Sequence, residues 1–441
     1  MSVRRRALEA LLDITEKGAY ANLRLKEAEA GLAPQDAKWL SAAVYETLDR
    51  LMMIDYILKA YAKGKLDKTV RGVLRLGVCQ ALYLNVPHSA ACNESVKLAK
   101  EVGKGALSGY VNGVMRAVCN ACANANGLPP LPQDPVERLS IAYSRPKWLV
   151  EEYTAAYGLA MTEAIFSGGE RAFTIRPQYP YTADALARAL EEKGLAYDRG
   201  ALAKEAFRLK KGFDVTAEPL FADGSITVQS ESAMAVCEIL APEKGARVLD
   251  ACCAPGGKTA YLSHLMGGTG EIEGWELHPH RVELTERTLA RLRVNNARVC
   301  VKDAGEYDPA YHEAFDSVLA DAPCSGLGVW GKPDARYAKS PAVIGELEAV
   351  QRRILDACAR YVKPGGALVY ATCTISPREN EGVAEWFRIT HKEFEPCDFT
   401  PLLPQAFAGR VKNGAVQLFP HLDGTEGFFI AKFTKRKGNP C

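Results

Sequence analysis

The sequence predicts a multidomain chain: an all-α domain at the front, a small α+β module in the middle, and an α/β domain on a doubly wound parallel sheet at the back. Three observations carry this. Apolar residues recur at helical spacing through residues 4–118, with few β-branched alternations. Residues 120–135 then hold Gly127, Pro129, Pro130, Pro132 and Pro135, which is linker composition. From Ala246 onward, strand-length apolar runs alternate with helical stretches, the βαβ rhythm of a parallel sheet. The expected domains are 1–125, 136–230 and 231–441.

Each element follows from its residues. Ala7, Leu8, Leu11 and Leu12 form one face of a first helix. Gly31 closes one segment and Pro34 opens the next. There Trp39, Leu40, Ala43, Leu48 and Leu51 continue one stripe to Met53. A further stripe runs Val70, Val73, Leu74, Gly77, Val78, Ala81, Leu82, and another covers 107–118. In the middle module, Trp148-Leu149-Val150 reads as helix and Thr174-Ile175-Arg176 as a short strand. Residues 184–194 read as helix and 221–228 alternate like a strand. The back half places strands at 247–250, 271–275, 298–301, 317–320 and 367–370.

Composition excludes several classes. Of the 441 residues, 48% are hydrophobic and 24% charged, so a disordered or collagen-like chain is ruled out. No apolar run is long enough for a transmembrane helix. The start Met1-Ser2-Val3-Arg4-Arg5-Arg6 leads into Glu9 and Asp13, unlike a secretory signal. Thirteen scattered cysteines, an odd count, read as reduced thiols of a cytoplasmic protein. The net charge of +2 conceals an asymmetry: residues 1–125 hold 18 Lys and Arg against 12 acids, a balance of +6, which leaves −4 for the rest. The tail adds Lys432, Lys435, Arg436 and Lys437 with no acid after Glu426. Such a front end suits RNA, and solvated helix faces explain the charge equally well.

The strongest chemical signal is Asp250-Ala251-Cys252-Cys253-Ala254-Pro255-Gly256-Gly257-Lys258-Thr259, a buried strand running into a glycine turn and a helix. Its amides face a ligand at a helix start. A P-loop would need glycine at Cys252, and no G-x-G-x-x-G is present. The next strand ends at Glu276, placed to bind ribose hydroxyls, and Asp303 follows the third, placed for an adenine edge. A surface carboxylate at a strand end explains each acid alone. The ordered pair, without a pyrophosphate clamp, favours S-adenosylmethionine.

The fourth strand runs into Asp321-Ala322-Pro323-Cys324-Ser325-Gly326 and the fifth into Thr372-Cys373-Thr374-Ile375-Ser376-Pro377-Arg378-Glu379-Asn380-Glu381. Both thiols lie at the carboxyl edge of the sheet, where ligands bind. A thiol there suits covalent catalysis on cytosine, since addition at carbon 6 makes carbon 5 nucleophilic. Asp321 is the acid that could stabilise the adduct at ring nitrogen 3. Residue chemistry alone does not rank the two thiols. Cys79, Cys92, Cys237, Cys300 and Cys358 read as small core hydrophobes.

These three segments resemble the RNA cytosine-5 methyltransferases of the Nol1/Nop2/Sun family, and Gly427-Phe428-Phe429-Ile430-Ala431-Lys432 is similar to that family's last strands. The front end, with Gly109-Tyr110-Val111-Asn112-Gly113-Val114-Met115-Arg116, resembles the antitermination factor NusB. Together they resemble the bacterial 16S ribosomal RNA methyltransferases of the RsmB, Sun or Fmu type. The resemblance implies a NusB-like helical domain, a small α+β linker module that also holds RNA, and a Rossmann-like domain that uses S-adenosylmethionine. It implies Cys373 as nucleophile, Cys324 as the group assisting release, and Asp321 against the cytosine and the cofactor's methionine end. It further implies that Cys252, Cys253, Ala254, Pro255, Gly256, Gly257 and Lys258 wrap the cofactor, that Glu276 holds its ribose and Asp303 its adenine, and that Lys258 also approaches the base. The implied partner is 16S ribosomal RNA before full subunit assembly, met by a monomer. Departures are Cys253 for the more usual Ala, Leu327 for Thr, Glu426 for Asp, and Gly331-Lys332-Pro333-Asp334 for a more basic run.

Two alternatives remain: a non-catalytic RNA-binding assembly factor or antiterminator, and a transfer RNA cytosine-5 methyltransferase. Cys119-Asn120-Ala121-Cys122 has zinc-knuckle spacing but no partner pair nearby, and the seven histidines are dispersed, so no metal is expected. Trp330 and Tyr337 are candidates to stack on an extruded base, with loop or core packing as the alternative.

Overall fold

Seven helices build the front of the chain: Val3–Lys17, Ala21–Glu29, Pro34–Asp49, Leu51–Tyr61, Lys68–Leu82, His88–Glu101 and Ser108–Ala123. The computed structural model describes residues 1–123, 127–169, 172–210, 213–329 and 340–437. Local chemistry sets the helix ends. The Ser2 hydroxyl accepts from the Arg5 amide, and Gly18 closes the first helix in the left-handed region. The Asp67 carboxylate caps the helix Lys68–Leu82. The single stripe expected from Trp39 to Met53 breaks at Arg50 into two helices. Leu8, Leu11, Leu40, Val44, Ile54, Val73, Val78 and Met115 meet in one core.

Three further helices, Pro135–Ala142, Lys147–Tyr157 and Leu159–Ser167, complete the compact unit that contains residues 1–167. The Ser144 hydroxyl accepts from the Met52 and Met53 amides at 3.2 and 3.3 Å, and the Tyr56 hydroxyl donates to the Pro130 carbonyl at 2.6 Å. The module expected over 136–230 is therefore divided: its helical part belongs with the front, and its sheet with the second unit, which begins at Gly168.

That second unit opens with β1 (Phe173–Pro177), β2 (Tyr197–Arg199), β3 (Phe207–Leu209) and β4 (Ile226–Val228) in one antiparallel sheet, ordered β2-β3-β1-β4. Leu186 and Leu190 of the helix Ala183–Glu192 cover Ile175, Phe207 and Ile226. The strand expected over 221–228 is only β4. Pro219 starts a short helix, Pro219–Ala222, that takes Phe221, and Gly224 at φ 81° turns the chain before Ile226.

An eight-stranded sheet follows: β5 (Arg247–Asp250), β6 (Glu271–Glu276), β7 (Ala297–Val301), β8 (Phe315–Asp321), β9 (Val362–Thr372), β10 (Phe394–Pro396), β11 (Ala415–Leu418) and β12 (Phe428–Lys435). Its order is β10-β12-β9-β8-β5-β6-β7, with β11 pairing β12. β5 to β9 are parallel, and β10 to β12 join antiparallel. Alternating residues feed both faces. Val248, Leu319 and Val369 enter one core with the helices Glu231–Leu240 and Gly257–Leu265. Leu249, Val318 and Leu368 enter another with the helices Pro341–Tyr361 and Glu381–Thr390. The chain runs outward from β5 to β7, then returns to β8 on the other side of β5. This reversal puts the switch point of the sheet at the carboxyl ends of β5 and β8, where open α/β sheets bind ligands.

Candidate active site

Register brings the two thiols together. Asp321 of β8 lies opposite Ala371 of β9, and the Ala322 amide donates to the Ala371 carbonyl at 3.1 Å. Both chains thus leave the sheet at one level. Three residues on in one, two in the other, Cys324 Sγ and Cys373 Sγ stand 3.3 Å apart. The Cys373 amide also points at Cys324 Sγ, at 3.3 Å. Both are free thiols. The Cys373 contact, then burial, push the Cys324 thiol well above the ordinary range, so it holds its proton.

A buried carboxylate clamps the two loops. Glu379 accepts from the Ser325 amide at 2.8 Å, the Ser325 hydroxyl at 2.5 Å and the Gln351 side-chain amide at 3.0 Å. Ser325 meets the Thr374 hydroxyl at 2.8 Å, and Gln351 also donates to the Pro323 carbonyl at 3.0 Å. Asn380 accepts from the Thr372 hydroxyl at 2.5 Å and donates to the Thr374 carbonyl at 3.0 Å. Glu379, Asn380 and Gln351 are all fully buried. Sequence pattern marks Glu379 and Asn380 only as part of the second thiol segment and carries no signal for Gln351.

Lys258 and Asp321 form one pair, Nζ to Oδ2 at 2.6 Å, with the ammonium 5.4 Å over the Phe428 ring. Burial alone would lower Lys258. The Asp321 charge and hydrogen bond outweigh it, with Cys237 and Cys373 adding, so the ammonium is held above the lysine range. Asp250, at the end of β5, is fully buried and takes the Thr259 hydroxyl at 2.7 Å. Burial, outweighing that bond and helped by the Asp321 charge, raises its carboxyl to about 6. Its Oδ1 has no hydrogen-bond partner among the described residues.

Beyond these groups lie the glycine turn and the acids at the ends of β6 and β7. Gly256 turns at φ 98° and caps the helix Gly257–Leu265, whose first amides are free of helical partners. The Glu276 carboxylate, buried at the end of β6, accepts from the His278 amide at 3.0 Å and pairs with Arg281 at 3.1 Å. Arg281 also reaches the Ala254 carbonyl at 3.4 Å. Asp303 turns back to the Gly305 amide at 2.8 Å and pairs with Arg353 at 3.3 Å. Cys253 is buried against Gly274 of β6, and its amide donates to the Trp275 carbonyl at 2.9 Å, so its side chain points into the fold. Cys252 is half-buried beside the Trp275 core.

The remaining candidates separate. Trp330 and Tyr337, with residues 331–334, lie outside the described residues. Cys119 is buried in the helical core with its sulfur 3.9 Å from Cys92. Cys79, Cys92, Cys237 and Cys358 are buried, and Cys300 half-buried. Among the described residues, no three His, Cys, Asp or Glu side chains are grouped to share a metal ion, and no helix is long and apolar enough to cross a membrane.

Comparison with known proteins agrees with this geometry. The profile of the family described as 16S rRNA methyltransferase RsmB/F matches residues 237–434, and that of the NusB family matches residues 1–120. The chain is 36% identical to the probable ribosomal RNA small subunit methyltransferase B of Bacillus subtilis (strain 168), over 99% of each. It is 30% identical to ribosomal RNA small subunit methyltransferase B of Shewanella oneidensis, again over 99% of each. Among solved structures it superposes on PH0851 with a TM-score of 0.79 and 25% identity, covering 99% of this chain and 100% of that one. A methyltransferase homolog from Pyrococcus horikoshii gives 0.58 and 29%, over 69% of this chain and 100% of its own. With the methyltransferase fold at its back, a NusB domain at its front and full-length relatives at 30–36% identity, the chain belongs to the RsmB/F family of S-adenosylmethionine-dependent 16S rRNA methyltransferases.

Proposed function

We propose that this protein methylates carbon 5 of a cytosine in 16S ribosomal RNA through a covalent adduct on Cys373. The observation that carries the reading is the pair of thiols 3.3 Å apart at the ends of β8 and β9, beside the switch point of the parallel sheet. The named relatives act on small-subunit ribosomal RNA, which supports the substrate.

Each group then has a task. The target cytosine leaves its stack to reach the thiols. The Cys373 thiolate adds to carbon 6, and the ring electrons make carbon 5 nucleophilic. S-adenosylmethionine, when bound, supplies the electrophilic methyl group. The glycine turn from Cys252 to Lys258 holds this cofactor, with Cys253 contributing backbone only, Glu276 at the ribose and Asp303 at the adenine. Asp321, held by Lys258, meets the base at its ring nitrogen 3 edge, where the carboxylate accepts from the adjacent 4-amino group and fixes the base. A base, solvent water in the simplest case, then takes the carbon-5 proton; the C–H electron pair becomes the 5,6 double bond, and the carbon–sulfur bond breaks with its pair returning to Cys373. Cys324 keeps its proton beside that sulfur and assists the release.

Labelled S-adenosylmethionine offered with protein-free 16S RNA, assembled small subunits and transfer RNA tests the substrate. One 5-methylcytosine in free 16S RNA is expected. Label in transfer RNA alone keeps the chemistry and overturns the substrate; no label, with cofactor bound, favours a non-catalytic assembly factor. For the mechanism, Cys373→Ala is expected to abolish transfer and adduct, whereas Cys324→Ala accumulates a denaturation-resistant protein–RNA adduct. An adduct that forms through Cys324 instead would sink the assignment.

A further inference from the structure

Arg176 sits on β1 of the small sheet, yet its side chain is 0% exposed. Its guanidinium forms no salt bridge among the described residues, and every hydrogen-bond acceptor it meets is neutral. Nε donates to Gln229 Oε1 at 2.6 Å, Nη1 to the Pro177 carbonyl at 2.9 Å and Gln178 Oε1 at 2.7 Å, and Nη2 to the Gly257 carbonyl at 3.3 Å. The cation stands 4.5 Å over the Tyr261 ring. Gln178, itself buried, passes the contact on: its Nε2 donates to the Ala260 carbonyl at 3.1 Å. Two residues, Arg176 of β1 and Gln178 just after it, thus grip one carbonyl each at the start of the helix Gly257–Leu265. Its first turn carries Lys258 and follows Gly256 directly.

Packing does not account for this. A buried cation without a carboxylate is costly, and an apolar side chain would fill the space without that cost. Burial pulls the Arg176 guanidinium down to about 10, which still leaves it charged at neutral pH. What the guanidinium offers, and neither lysine nor an apolar residue does, is a planar fork with donors on several sides. Here the fork ties β1, Gln178 and Gln229 to one helical turn.

We propose that Arg176 is a positioning residue for the cofactor turn, which makes the four-stranded sheet a working part of the S-adenosylmethionine site. The guanidinium holds the start of the helix, and with it the Gly256-Gly257-Lys258 backbone, in the conformation that receives the cofactor. Its charge adds to the positive end of that helix. The inference rests on S-adenosylmethionine being the methyl donor; it is independent of which base is methylated.

Calorimetric titration of the full-length protein with S-adenosylhomocysteine, without RNA, tests it. Arg176→Gln is expected to weaken binding about ten-fold, the scale of a lost charged hydrogen bond. Arg176→Lys keeps the charge without the fork and should fall between. Gln178→Leu removes the Ala260 leg and should weaken binding less than Arg176→Gln. Arg291→Gln is the control: Arg291 ties the same small sheet to the helix Pro279–Arg291, through the Phe221 and Ile226 carbonyls at 2.8 and 3.3 Å and the Thr227 hydroxyl at 3.1 Å. It should bind within about two-fold of the wild type, inside the scatter of surface substitutions. In turnover, Arg176→Gln should raise KM for S-adenosylmethionine while leaving kcat and KM for RNA near wild type, a split that general destabilisation does not produce. Unchanged affinity in a folded Arg176→Gln, or equal weakening by Arg291→Gln, overturns the proposal. If Arg176→Gln does not fold, unchanged affinity in both Arg176→Lys and Gln178→Leu overturns it. A wild type that ignores S-adenosylhomocysteine would overturn the methyl-donor reading beneath it, a distinct failure.

Discussion

Glu379 is the residue on which the thiol geometry turns. Replacing it by alanine leaves the buried Ser325 amide without its acceptor, while the Ser325 hydroxyl keeps Thr374 and the Gln351 amide keeps the Pro323 carbonyl. An unmet buried group costs about 1–3 kcal/mol. Glu379→Ala is therefore expected to lower the melting temperature, and by loosening the thiol loops to cut kcat about a hundred-fold. Cofactor affinity, measured by titration, should stay near wild type. Asp250 makes a different prediction, about pH. Its carboxyl titrates near 6 in the fold against 3.8 ordinarily. The folded state therefore keeps a proton that the unfolded chain has released. Its stabilising contribution is complete below the unfolded value and is lost as pH rises through the folded one. Relative to Asp250→Asn, the wild type should lose stability between about pH 4 and 6 in denaturant titrations, with no further change above. A flat difference across that window would refute the shift. Both thiols were legible as motif residues. Glu379 and Gln351 were not, because their importance lies in contacts 54 and 28 residues apart in the chain.

At the scale of elements, the site depends on backbone approach. The Gly328 amide donates to the Cys373 carbonyl at 3.1 Å, and the Gly427 amide to the Gly328 carbonyl at 3.0 Å. A Cβ on Gly328 would fall 2.1 Å from the Gly427 carbonyl oxygen and 3.0 Å from that of Cys373. Only glycine lets the loop after β8 thread between the end of β9 and the start of β12. Gly328→Ala is expected to displace Cys373, abolish adduct formation and destabilise the fold by a few kcal/mol or more. Full adduct formation in trapping assays with this variant would refute that. The strands were readable from short apolar runs, since a parallel sheet buries both faces. Where reading failed, punctuation competed with pattern. Residues 221–228 alternate like a strand, but Pro219 and Gly224 cut them into a helix turn and β4. The stripe through Leu48 and Leu51 continues apolar across the break at Arg50, so periodicity alone did not reveal it.

For the whole molecule, charge and connectivity make the remaining prediction. The +6 balance of residues 1–125 against −4 elsewhere predicts that the front of the chain attracts RNA by its charge. RNA affinity should fall steeply between about 50 and 200 mM salt, as counterion release requires, while S-adenosylhomocysteine affinity changes little. Filter binding and calorimetry across that range check both, and salt-independent RNA binding would remove the electrostatic role. Local chemistry in the chain was enough to announce the helical front, the parallel sheet, the glycine turn, both thiols and the acids Glu276, Asp303 and Asp321, because each is written in neighbouring residues. Tertiary structure alone decided that 135–167 joins the front unit, that Cys324 and Cys373 touch, that Glu379 clamps their loops, and that Arg176 of the small sheet bonds the Gly257 carbonyl after the glycine turn. These are contacts between residues far apart in sequence, set by strand register and by the crossover that returns β8 beside β5, and no local pattern encodes them.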